Sequence, residues 1–128
     1  MTEQRVYSNI GFRSESLIEE LKKYKAGERT NPLVINDAYS IIKRFDRILL
    51  EPNFHLNNPD KGAYLQLIFE EMKAKKITTI QIKTTKITLE KMLKDKKISE
   101  DEIRIGLNFF KEISAKCREY ATEPSCHN

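Results

Sequence analysis

Apolar residues recur at steps of three and four along most of this chain, which is the period of a helix buried on one face. The clearest stretch is Ser99–Ala121. Ile103, Leu107, Phe110, Ser114, Cys117 and Ala121 fall on one face there, all apolar or small. Ser99 followed by Glu102 forms a capping box, in which each side chain satisfies an orphan amide of the first turn. Glu100, Asp101 and Glu102 suit the positive end of the helix dipole. The other helices are expected to pack around this one.

An earlier helix is predicted from about Ser14 to Ala26, with Leu17, Leu21 and Tyr24 inward and a capping box at Ser16 and Glu19. Gly27 suits the left-handed residue past its end. Residues 1–13 have no clear period and are expected to form an arm, packed through Val6, Tyr7, Ile10 and Phe12. A second helix starts at Asn31-Pro32, cap and first turn, and carries Val34, Ala38, Ile41, Phe45 and Ile48 before Pro52 stops it. A third starts at Asn58-Pro59, with Leu65, Ile68, Phe69 and Met72 inward.

Ile77–Thr88 is ambiguous. Its β-branched residues favour strand, while Ile82, Thr85, Leu89 and Met92 stack as a helix. The pattern predicts a connection followed by a helix from about Thr84 to Asp95, with a small hairpin over 77–90 as the alternative. The expected fold is an all-α bundle of four to five helices, with a short extended or hairpin segment near 77–88 as its one variant. One domain is expected over 1–128, ending in a frayed tail at 122–128.

Composition changes this picture little. Hydrophobic residues are 39% and charged residues 33%, enough for one modest core. No apolar run reaches the roughly 18–20 residues of a membrane span, and Met1–Tyr7 lacks the apolar core of a signal peptide. Cys117 and Cys126 make no disulfide framework. A cytoplasmic protein without a membrane partner is the expectation.

Charge changes it more. The net +4 is concentrated in residues 73–97, where nine lysines face two acids. Lys73, Lys75, Lys76, Lys83, Lys86, Lys91, Lys94, Lys96 and Lys97 can neutralise phosphates and release counterions. The neighbouring threonines add hydroxyl donors. The segment nevertheless lacks the Arg of bidentate recognition and the aromatics of single-strand stacking. A second basic line, Arg104, Lys111 and Arg118, runs beside the apolar face of the last helix.

That last helix has more apolar surface than one neighbour covers. Phe109, Ile113 and Tyr120 widen its arc to roughly 160°, and Ile105 lies further out. If nothing in the monomer covers the surplus, Ile105, Phe109, Ile113 and Tyr120 form a protein interface, with Gly106 easing the approach of a partner. A symmetric homodimer or a docked partner helix then follows.

Catalytic and metal chemistry have little behind them. His55 sits in a polar loop with no identifiable nucleophile, and Cys117, Cys126 and His127 match no ligand spacing. Phosphate loops, dinucleotide fingerprints and zinc-protease motifs are missing from the sequence. The expected function is a small non-catalytic binding or adaptor protein without a cofactor, acting through protein–protein contacts. The alternative is a DNA- or RNA-binding protein using residues 73–97.

Overall fold

Four helices carry the fold: α1 (Glu3–Lys25), α2 (Pro32–Leu50), α3 (Thr79–Leu93) and α4 (Glu100–Thr122). The computed structural model describes residues 3–50, 68–70, 72 and 79–122. Residues 68–70 and 72 are also helical, and no strand occurs among the described residues. The architecture is an all-α bundle.

The helices close a ring. α1 packs on α2, α2 on α3, α3 on α4, and α4 back on α1, the last being the most extensive contact. The turns at 26–31 and 94–99 are short, which makes successive helices antiparallel neighbours. Residue pairings agree. Along the α1–α4 seam Gly11 faces Cys117 and Leu21 faces Gly106, so numbers rise on one helix as they fall on the other. A β-carbon on Gly11 would stand 3.1 Å from that of Cys117, so the absent side chain lets the two backbones approach closely there.

Local signals explain three of the helix ends. Ser99 and Glu102 do form the capping box: the Glu102 amide donates to Ser99 Oγ at 3.1 Å, and the Ser99 amide to Glu102 Oε1 at 2.8 Å. Asn31 caps α2 by accepting the Leu33 amide at 3.0 Å. α1 ends at Gly27, with φ of 75°. The amides of Gly27 and Glu28 bond back to the carbonyls of Tyr24 and Lys23, the two bonds of a Schellman turn.

The core is aromatic at its centre. Phe45 of α2 meets Phe109 of α4 edge-on at 5.7 Å between centroids, Phe109 meets Phe110 at 5.2 Å, and Phe69 lies 6.2 Å from Phe45. Such tilted and edge-to-face pairs add to the area term of burial. Ile68, Phe69 and Met72, expected on the inner side of the third helix, are buried here.

Two expectations give way. α1 begins at Glu3, so residues 3–13 are helical and Ser16 lies inside the helix rather than at its cap. Tyr7 and Ile10 bury against the core as successive turns of that helix. The segment 79–88 is helical, not extended, and α3 starts five residues before Thr84. Tertiary packing overrides the β preference of its residues: Ile82, Thr85, Thr88, Leu89 and Met92 are buried on one helical face.

Candidate binding groove

The lysine-rich segment divides into two parts. Within α3, three lysines are committed to carboxylates of neighbouring helices. Asp46 of α2, only 7% exposed, accepts from Lys83 and from Lys86, each at 3.1 Å. Burial pushes the Asp46 carboxyl up, but the two lysines outweigh it and hold it below its ordinary value. Lys91 donates to Glu102 Oε2 at 2.9 Å. That bond, with the capping bond from the Ser99 amide, keeps Glu102 low. Tyr39 of α2 donates to Glu90 of α3 at 2.5 Å, and that bond, with burial and the negative charge of Glu90, pushes the phenol up to about 12. These contacts fasten α3 to α2 and to the start of α4.

Past Leu93 the lysines of this segment have no such partners among the described residues. Lys94, Lys96 and Lys97 are exposed on the α3–α4 turn. Asp95 in that turn has φ of 56°, the left-handed conformation that glycine adopts most readily. The Asp95 and Lys96 amides bond back to the Met92 and Lys91 carbonyls, a second Schellman turn. The Tyr24 hydroxyl donates to the Lys96 carbonyl and ties the turn to the end of α1. Burial, then the charge of Asp95, raises the Tyr24 pKa.

Between this turn, the last turn of α1 and the first turns of α4 lies a groove of two adjoining hollows, about 370 and 340 Å³. Lys25, Glu100 and Ile103 line both. The first also takes in Tyr24, Ile98, Lys96 and Lys97, and the second Leu107, Asn108 and Lys111. Tyr24, Ile98 and Leu107 are half-buried and packed against the core, so its floor is apolar and continuous with the interior. Each hollow is at the small end of the range for ligand sites.

The proposed interface stripe fares differently. Phe109 is 1% exposed and Ile113 fully buried, both inside the monomer. α4 is covered from two sides, by α1 and by α3, so an arc of roughly 160° is filled without a partner. Gly106 faces Leu21 of α1, not an incoming chain. Ile105 is half-buried, and the side chain of Tyr120 lies outside the described residues, as do Lys73, Lys75, Lys76, His55, Cys126 and His127. Cys117 is buried, and burial raises its thiol to about 12, away from nucleophile or ligand chemistry at neutral pH. Of the second basic line, Arg104 pairs with Asp101, Arg118 with Glu15, and Lys111 lines the groove.

Sequence reasoning missed Lys25 and the floor residues Ile98 and Leu107 as parts of one place. Lys25 closes a helix 71 residues before Lys96, and only the α1–α4 packing joins them. The chain matches no family model, no curated protein and no solved structure. Among the described residues, no helix is long and apolar enough to cross a membrane.

Proposed function

We propose that the protein is a small non-catalytic helical binding module that holds a segment of a protein partner in the groove between α1, the α3–α4 turn and α4. The observation that carries this reading is the convergence of three separate elements on one apolar-floored depression. Tyr24, Ile98 and Leu107, packed against the core, stay partly exposed at its base, and surface concavities of that kind are where binding concentrates. The nucleic-acid alternative is the weaker reading. Of its nine lysines, Lys83, Lys86 and Lys91 are already neutralised by carboxylates of the bundle, which lowers what they can add to phosphate contacts.

The test is amide mapping by NMR with a panel of short leucine-bearing helical peptides of differing charge. Shifts concentrated at Tyr24, Ile98, Ile103 and Leu107 are expected for at least one of them. Shifts confined to other faces, or none with any peptide, would contradict the groove.

A further inference from the structure

We infer that the segment held in this groove is an acidic amphipathic helix, with apolar anchors one turn apart and carboxylates on their flanks. The inference rests on the groove being the binding site and adds the chemistry of its occupant.

Three observations carry it. The first is which charges at the rim are already taken. Lys25, Lys96, Lys97 and Lys111 come from α1, the turn and α4, and among the described residues none has a carboxylate partner. The three described lysines of α3, by contrast, are all paired. Of the acids at the rim, Asp101 is neutralised by Arg104 at 3.1 Å, leaving Asp95 and Glu100 against the four lysines. Glu100 stands in the first turn of α4, where the amide dipoles offset its charge. The rim therefore presents an excess of positive charge to anything entering.

The second is the shape of the floor. Ile103 and Leu107 are four residues apart on α4, so they rise one above the other by about 6 Å. Ile103 lines both hollows, and Leu107 lines the second. A helix laid along this pair places side chains at i and i+4 into successive hollows, the usual register of helix-in-groove recognition. Lys111, one further turn along, then meets the flank of that helix.

The third is the rigidity of the rim. The turn bearing Lys96 and Lys97 is fixed by its two Schellman bonds and by the Tyr24 hydroxyl on the Lys96 carbonyl. A backbone held in place beforehand is not ordered again when charges dock on its lysines, which favours affinity.

A symmetric dimer through the same groove is disfavoured, because it would bring two identical lysine rims together. A nucleic-acid strand would satisfy the lysines but leave the exposed parts of Ile98 and Leu107 facing a polar backbone.

The experiment uses the whole chain and three probes. The first is a synthetic helical peptide, blocked at both ends, with leucines at i and i+4 and glutamates flanking them. The second carries lysines in place of the glutamates, and the third is an oligothymidylate. The glutamate peptide is expected to shift the amides of Ile98, Ile103 and Leu107 and to bind at least about tenfold more tightly than the lysine peptide. Lys96→Glu with Lys97→Glu, both exposed, is expected to reverse that preference while the circular dichroism spectrum stays unchanged. Equal binding of both peptides in the groove overturns the acidic partner but leaves the groove as a binding site. Failure of both peptides to shift the groove overturns the groove itself. Oligothymidylate binding there more tightly than the glutamate peptide overturns the inference in favour of nucleic acid. Loss of the glutamate peptide in the charge-reversed variant without gain of the lysine peptide also counts against it, since electrostatic selection requires both.

Discussion

Lys83, Lys86 and Lys91 differ from Lys94, Lys96 and Lys97 only in where the helix stops. The first three lie on α3 and reach carboxylates of α2 and α4. The second three lie at or past its end, and the left-handed Asp95 turns the backbone so that Lys96 and Lys97 reach the groove. One continuous run of basic residues thus does two jobs, holding a helix in place and leaving a rim charged. Charge density along a sequence does not separate these roles. The test is whether a carboxylate of the same chain lies within reach.

The comparison can be broken first at the level of stability, where the core sets the scale. Phe109→Ala should cost about 3–5 kcal/mol, the usual loss for a buried aromatic, measured by urea unfolding. A cost under about 1 kcal/mol would return Phe109 to the surface and revive the interface stripe. Next in size is Lys83→Glu with Lys86→Glu, which sets two new carboxylates beside a nearly buried Asp46. A loss of about 2 kcal/mol is expected, less than for a fully buried pair because Lys83 is half exposed. Hydrogen exchange should quicken in 79–93 before it does in 100–122.

Acid sharpens the same point. Asp46, Glu102 and Glu15 have folded-state pKa values held below their ordinary 3.8, 4.5 and 4.5. For Glu15 the causes are the Ser114 hydroxyl first, then Arg118. A carboxylate depressed in the folded state adds stability that is fully present above its unfolded value and is lost as pH falls through the folded one. The unfolding free energy should therefore hold near neutrality and decline below about pH 4.5. Asp46→Asn should flatten that decline, and an unchanged acid profile would remove Asp46 from the fastening of α3. The smallest effect has the opposite sign. Asp95→Gly relieves a left-handed residue and should stabilise by up to about 1 kcal/mol in a thermal melt. A loss would mean that the Asp95 side chain holds the turn.

How much of this was legible in sequence follows from where each signal resides. α4 was legible because its cap, its acidic first turn and its apolar spacing are all local. α2 was legible for the same reasons at Asn31-Pro32. α3 was only half legible. Seven of its fifteen residues, Thr79, Ile80, Ile82, Thr84, Thr85, Ile87 and Thr88, are β-branched, and its first turn has no acid. Its helix depends on Asp46, Tyr39 and Glu102, which lie 37, 51 and 11 residues from the partners they hold. The width of the apolar arc on α4 was also legible, but not what covers it, because that depends on α1 and α3 flanking it together. The groove was the least legible, since Lys25, Ile98 and Leu107 meet only after the ring of helices closes.

The most direct measurement pairs two charge reversals in the whole protein and reads stability and glutamate-peptide affinity for each. Lys83→Glu with Lys86→Glu should lower the unfolding free energy by about 2 kcal/mol and change peptide affinity by less than about threefold at temperatures where it stays folded. Lys96→Glu with Lys97→Glu should leave stability within about 0.5 kcal/mol and weaken the peptide about tenfold. The reverse assignment, or equal effects of both pairs on both quantities, would contradict the division of the lysine run into a structural part and a binding part.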